Sequence, residues 1–145
     1  MNPRLCLLLA IAVILCGPCF ADETINISGI IEYSASGNLF IFLVDEKNSK
    51  TPFAGIKTIK EEVKNNDGSI QRFDFVFVGI EPGTYAVRAF LDEDRNGKLN
   101  RGITGPLEPW GMSWQDGVNR NWPQWRHYCF KAEKNIDGLI IRLED

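Results

Sequence analysis

Apolar and polar residues alternate with a period of two over much of the chain, a pattern typical of half-buried β-strands. It is clear over residues 25–33, over 73–77, where Phe73, Phe75 and Phe77 share one face, and over 85–91. The segment 39–44 is instead continuously apolar, which predicts a strand buried on both faces.

Polar and glycine-containing segments separate these strands, at 45–52, 65–68 and 81–83. Further strands are expected at 54–63, 127–133 and 139–143, the last two joined by an Asp137-Gly138 turn. No window combines a helical period with caps. The pattern predicts an all-β fold, an antiparallel β-sandwich of about seven strands in one domain, 22–145, with one long loop insertion at 92–126.

Residues 1–21 have the pattern of a secretory signal peptide. Arg4 precedes an apolar run, 5–16, that is shorter than the roughly 20 residues needed to span a bilayer. Cleavage is expected after Ala21; a lipid-anchored cysteine and an uncleaved anchor helix are the alternatives. We therefore expect an exported protein, periplasmic or extracellular, with no transmembrane segment after cleavage. Cys129 would then be the one remaining cysteine, which excludes an internal disulfide.

Composition narrows the function classes. The 145 residues are 44% hydrophobic and 24% charged, as in ordinary globular domains. The formal charge of -3 argues against a nucleic-acid partner, because such proteins usually present a basic surface. The chain has one histidine, His127, and no nucleophile motif, so we expect a protein that is not an enzyme.

The sharpest chemical signal is an acidic loop after the strand at 85–91. Oxygen-bearing residues occur at alternate positions, as in positions 1, 3, 5, 7 and 9 of a calcium loop, with a glycine that permits a sharp turn. The predicted metal ligands are Asp92, Asp94, Asn96, the carbonyl of Lys98, and Asn100. A Ca²⁺ ion is the expected cofactor, with a structural role.

Two features of an EF-hand are missing. Position 12 is Ile103 rather than an acid, and a strand rather than a helix leads into the loop. Further ligands must come from elsewhere, with Glu81, Glu108, Asp116 or water as candidates. With so few carboxylates we expect weak affinity, with Kd of roughly 10⁻⁴–10⁻³ M. The alternative is a plain Asp/Asn/Gly turn whose side chains bind backbone amides.

All four tryptophans lie within the long insertion: Trp110, Trp114, Trp122 and Trp125. Exposed indoles could form a platform for sugar rings, which makes a carbohydrate-binding module the alternative function. Buried indoles could instead pin the loop against the sandwich, since each buried aromatic removes about 150–250 Å² from water. The second interpretation is favoured, because long loops need anchors.

The segment 82–99, PGTYAVRAFLDEDRNGKL, resembles the signature of a family of secreted bacterial proteins, the domain-of-unknown-function family DUF2141. Gly105-Pro106, Pro109-Trp110-Gly111 and the closing strand at 139–143 follow in the same order. The resemblance covers roughly residues 25–143.

The resemblance implies a prealbumin-like or carboxypeptidase-regulatory-like sandwich, of the general immunoglobulin-like kind, exported and without an assigned activity. A similar loop occurs in the calcium-binding B-type repeats of bacterial surface adhesins, which implies Asp92, Asp94 and Asn96 as ligands. Asn100 stands where an Asp is usual. The function expected is a non-enzymatic accessory or binding module, whose partner is a glycan or a cell-envelope protein.

Overall fold

A computed structural model describes residues 23–51, 54–118 and 123–144 of the chain. The predicted signal segment 1–21 and Trp122 lie outside these ranges. No helix among the described residues has the length and apolar character required to cross a membrane.

The described chain forms eight β-strands and one short 3-10 helix, Trp125–His127. β1, β4 and β5 contain the alternating segments of the sequence, and β2 contains the continuously apolar segment 39–44. The strands are β1 Ile25–Tyr33, β2 Gly37–Val44, β3 Lys57–Val63, β4 Gln71–Ile80, β5 Gly83–Asp92, β6 Trp110–Met112, β7 Phe130–Ala132 and β8 Ile136–Arg142.

Two sheets stack as a sandwich, which confirms the predicted fold class. One sheet has the order β4-β1-β8, and the other has the order β3-β2-β5-β6, with β7 also paired to β5. The turn at 65–68 joins β3 to β4 and therefore connects the two sheets. Asn65 Oδ1 accepts hydrogen bonds from the amides of Asp67 and Gly68, as expected of an Asn-initiated turn.

Three details differ from the sequence prediction. The pairing of β1 with β8 is parallel, whereas the other strand pairs are antiparallel. The Asp137-Gly138 pair lies inside β8, where Gly138 has a φ of 77° at a register shift, so it forms a bulge rather than a turn. The predicted strand 127–133 divides into the end of the 3-10 helix and the three residues of β7.

The main core lies between the two sheets and takes one face of each strand. Ile27 and Ile31 of β1 face Leu39, Ile41 and other apolar residues of the second sheet, all of them fully buried. Burial of this kind contributes about 25 cal/mol per Å² of apolar surface removed from water. These side chains therefore stabilise the sandwich without a disulfide.

The outer face of the five-stranded sheet carries a second apolar cluster. Phe40, Phe42 and Phe90 stack with ring centroids 4.9–6.2 Å apart, and Trp110 and Trp125 pack against them. This aromatic layer explains why β2 is apolar at consecutive positions, because both of its faces are covered. It also positions the segment that follows the acidic loop.

Candidate metal centre

The acidic loop begins at the last residue of β5. Asp92 ends that strand and pairs with Asn38 of β2, so its carboxylate is held at the end of the sheet. Asp92 is fully buried, whereas Asp94 and Asn96 are exposed. Gly97, with a φ of 79°, adopts the left-handed conformation that lets the chain turn back.

The carboxylate of Asp92 organises the turn. Its Oδ1 accepts a hydrogen bond of 3.0 Å from the amide of Asn96, and its Oδ2 accepts one of 2.9 Å from the amide of Gly97. Two backbone donors therefore converge on one buried carboxylate, and each oxygen retains a lone pair. The loop thus curls around the side chain of its own first residue.

Asp94, Asn96 and Asn100 form a side-chain network at the surface of the loop. Asp94 Oδ2 accepts bonds from Asn100 Nδ2 at 2.7 Å and from Asn96 Nδ2 at 2.9 Å. The side-chain amide of Asn100, together with the backbone amide of Asn96, lowers the pKa of Asp94 below its ordinary value. These hydrogen bonds therefore favour the ionised form of Asp94. Asn96 Oδ1 accepts a bond from the amide of Lys98 at 2.8 Å, which places Lys98 on the same turn.

Glu108 ties the two ends of the loop together. It is only 4% exposed; its Oε1 accepts a bond of 3.0 Å from the amide of Glu93, and its Oε2 accepts one of 2.9 Å from the amide of Asn100. Asn100 and Leu107 are also joined by a backbone hydrogen bond across a small hairpin, 100–107. The sequence alone did not distinguish Glu108 from the other acidic candidates. Glu108 is brought next to the loop by the hairpin 100–107, and the residues of that hairpin show no alternation of apolar and polar positions that would predict it.

Asp92, Asp94 and Glu108 each offer a carboxylate oxygen, and these oxygens lie within 4.8 Å of one another. In the described parts of the chain, this is the one such group of three acidic, histidine or cysteine side chains. No lysine or arginine described by the structure forms a salt bridge with any of the three.

Glu81 and Asp116 do not join the cluster. Glu81 follows β4 and lines a surface cavity with Asp45 and Tyr85, and Asp116 lies beside Met112 and Arg142. The five predicted loop residues therefore lie on one continuous turn, and Glu108 is the one of the three additional acids that approaches it.

The three described tryptophans pack edge to face rather than side by side. Trp110 and Trp114 have centroids 6.2 Å apart at 70°, and Trp125 meets Tyr128 at 5.6 Å and 85°. Trp114 also contacts Tyr128, at 5.8 Å and 79°. All three are half-buried, and this geometry is that of indoles that pin the insertion to the sheet.

Comparison with known proteins gives a family. No curated protein and no solved structure matches the chain. A family model described as "Uncharacterized protein conserved in bacteria (DUF2141)" matches residues 25–137, a range that contains the acidic loop, Glu108 and the three described tryptophans. Because that match covers well over half of the sequence, the chain belongs to the bacterial family DUF2141.

Proposed function

We propose that the protein is an exported, non-enzymatic binding module whose acidic loop holds one Ca²⁺ ion. The carboxylates of Asp92, Asp94 and Glu108 supply the charge, and the carbonyl of Lys98 and the side chains of Asn96 and Asn100 supply neutral oxygens. The ion stabilises the loop and the hairpin behind it. Its binding energy thereby adds to the folding energy of the domain.

The observation that carries this proposal is the burial of two carboxylates near a third without a described cationic partner. Asp92 is fully buried and Glu108 is 4% exposed. Buried acids are usually paired with a base or bound to a metal, because an uncompensated charge is costly away from water. A hard divalent cation among three carboxylates removes that cost and takes the oxygen ligands it prefers.

The competing interpretation is a turn held by its own hydrogen bonds. Asn96 Nδ2 and Asn100 Nδ2 both donate to Asp94 Oδ2, so the amides fill positions that a cation would take. Rotation of each carboxamide by half a turn replaces the nitrogen with an oxygen, since the two ends of the group have nearly the same shape. For Asn96 this rotation also breaks the bond from the amide of Lys98. The same residues can thus serve both states, and a measurement with the metal decides between them.

The test compares thermal unfolding of the protein in 10 mM CaCl₂ and in EGTA. With a Kd of roughly 10⁻⁴–10⁻³ M, linkage predicts about 1.4–2.7 kcal/mol of added stability and a Tm higher by about 5–10 °C. Asp94→Asn is the informative variant, because Asp94 is exposed and its loss leaves the buried groups in place. It should reduce the calcium-dependent shift to less than half.

Asp116→Asn is the matched control, since Asp116 is acidic, exposed and outside the cluster. It should keep the full calcium-dependent shift. Equal Tm values with CaCl₂ and EGTA in the wild-type protein would remove the ion from the proposal. A shift of the same size with MgCl₂ would also contradict it, because Mg²⁺ demands a tighter octahedral site.

The non-enzymatic part of the proposal is supported by the state of the nucleophilic candidates. Burial raises the pKa of the Cys129 thiol, the opposite of what an activated cysteine requires. His127 lies in the short 3-10 helix, with its Nδ1 at 3.4 Å from the amide of Gln124. Export rests on the sequence pattern of residues 1–21.

A further inference from the structure

A small cleft lies on the outer face of the five-stranded sheet, next to the metal loop but separate from it. It has a volume of about 60 Å³. Its apolar lining includes Phe42 and Phe90 of the sheet, Trp110 and Met112 of β6, and Leu99 of the loop. Since one water needs roughly 10–15 Å³, the space suits about four or five non-hydrogen atoms.

Every charged residue that lines this cleft is an arginine. Arg88 enters from β5 and Arg101 from the hairpin that follows the loop, and no acidic side chain is among the lining residues. Arg101 is exposed and has no hydrogen-bonding or ionic partner among the residues that the structure describes. An apolar cavity with positive charge at its mouth is complementary to an anion that carries an apolar group.

The position of Arg88 is unusual for a purely structural residue. One terminal nitrogen, Nη2, donates to the carbonyl of Ser49 and lies 3.4 Å from the Tyr128 hydroxyl. Its Nε is buried and has no partner in the described structure. Buried donors are seldom left unsatisfied, because an unmade hydrogen bond costs the desolvation of the group. The guanidinium of Arg88, a residue that lines the cleft, therefore retains an unpaired donor.

We propose that this cleft binds a short branched-chain carboxylate, with an aliphatic group of about five carbons inside and the carboxylate between Arg88 and Arg101. The size of the cavity sets the length of the apolar group, and the two guanidinium groups set the charge. This site uses none of the metal-binding oxygens. It can therefore be tested whether or not the loop takes calcium.

The experiment is a titration of the ¹⁵N-labelled protein with 4-methylpentanoate, followed by heteronuclear NMR. We expect a Kd on the order of 0.1–1 mM for a ligand of this size. The largest shift changes should occur at the amides of Phe90, Gly111 and Met112 and at the indole N–H of Trp110. The amide analogue 4-methylpentanamide has the same shape without the charge, and it should bind at least 10-fold more weakly.

Three variants separate the effect of charge on binding from the effect of cavity shape. Arg101→Gln should weaken binding of the acid about 5- to 10-fold and leave that of the amide unchanged, because the side chain is exposed and makes no hydrogen bond or ion pair with the described residues. Arg95→Gln is the matched control: Arg95 is exposed on the same loop but pairs with Glu62 at 2.8 Å, and binding should be unaffected. Leu99→Phe, which fills the cleft, should weaken acid and amide alike.

Three results would overturn the proposal. Equal binding of acid and amide would show that the arginines do not select the ligand. Shift changes outside the cleft, or none at 20 mM ligand, would show that this cavity is not a site. Each titration is run both in CaCl₂ and in EGTA. Failure of the calcium proposal would appear as an unchanged Tm, whereas binding in the cleft is measured separately from the NMR shifts.

Discussion

At the scale of single residues, one buried glutamate joins the three strands of the smaller sheet. Glu32 is 6% exposed, and its two oxygens accept hydrogen bonds from Arg72 of β4 and Arg142 of β8, each at 3.0 Å. The bond from Arg142, followed by that from Arg72, lowers the pKa of Glu32 against the opposing effect of burial. The sequence did not single out Glu32, because a polar residue in an alternating strand looks like an ordinary solvent-facing position.

Glu32→Gln should destabilise the protein at pH 7 by about 1–2 kcal/mol, a reduced value because both arginines are largely exposed. Since the folded-state pKa is lowered, this stabilisation is present above the unfolded value of about 4.3 and is lost as the pH falls through the folded value. The difference between wild type and variant should therefore shrink below about pH 4.

Urea unfolding of both proteins from pH 3 to pH 8 measures this difference. Asp74→Asn, a change at an exposed acid of the neighbouring strand β4, is the control and should show little pH-dependent difference. A Glu32→Gln effect that is constant over the whole range would show that the charge of Glu32 is not the stabilising feature.

At the scale of elements, the metal loop is specified by backbone conformation as much as by its acids. Arg95 and Gly97 both adopt positive φ, 63° and 79°, so the loop takes two left-handed positions within three residues. The spacing of Asp92, Asp94 and Asn96 predicted the turn and its curvature. It could not predict the return of Glu108, which depends on the hairpin 100–107 and on the tertiary position of β6.

Gly97→Ala should reduce stability by about 1 kcal/mol, because a Cβ is strained at this φ although no neighbour lies within 4 Å of it. It should also weaken calcium binding, since the amide of Gly97 holds Asp92 Oδ2. Gly97→Asn should reduce both the stability and the calcium affinity less than Gly97→Ala does, because asparagine tolerates the left-handed region better than alanine.

Urea unfolding and isothermal calorimetry with CaCl₂ measure the two effects of the Gly97 substitutions. An alanine variant as stable as the wild type would mean that the loop changes its conformation at little cost. In that case the buried carboxylates, rather than the turn, would determine its shape.

The longer strands were predictable from periodicity and the shorter ones were not. β1 spans the same residues as its alternating segment, β4 and β5 contain theirs, and β2 contains the continuously apolar segment 39–44. β6 and β7 have three residues each, too few for a period to be seen, and β6 lies inside the segment expected to be a loop. The Asp137-Gly138 pair predicts a turn because Asp-Gly is a common turn pair, but pairing with β1 keeps Gly138 in a strand, where it forms a bulge.

At the scale of the whole molecule, the two sheets meet along one side. Trp110 of β6 exchanges two backbone hydrogen bonds of 3.0 Å with Glu144, just after β8, so the edge strands of the two sheets are joined there. Gly111 makes this approach possible: a Cβ at that position would lie 2.4 Å from the carbonyl oxygen of Arg142. The sandwich is therefore partly closed, like a barrel, at this side.

Gly111→Ala should separate β6 from β8 and cost about 1–3 kcal/mol, because the clash is with backbone that cannot move alone. Gly102→Ala is the control: the nearest atom is the end of the exposed side chain of Leu107, and the expected cost is below about 0.5 kcal/mol. Denaturant unfolding measures both, and a Gly111→Ala cost as small as the control's would contradict the importance of this junction.

The position of Asn100 has a consequence for how the two proposed ligands affect one another. Its backbone amide is held by Glu108, whereas its sequence neighbours Leu99 and Arg101 line the cleft. If a bound ion makes Asn100 more rigid, the residues beside it in the cleft are already ordered before the carboxylate binds, which raises the affinity for the carboxylate. Thermodynamic reciprocity then requires the bound carboxylate to raise the affinity of the loop for the ion by the same factor. In surroundings where calcium fluctuates near its Kd, uptake of the small acid would then follow the concentration of the metal.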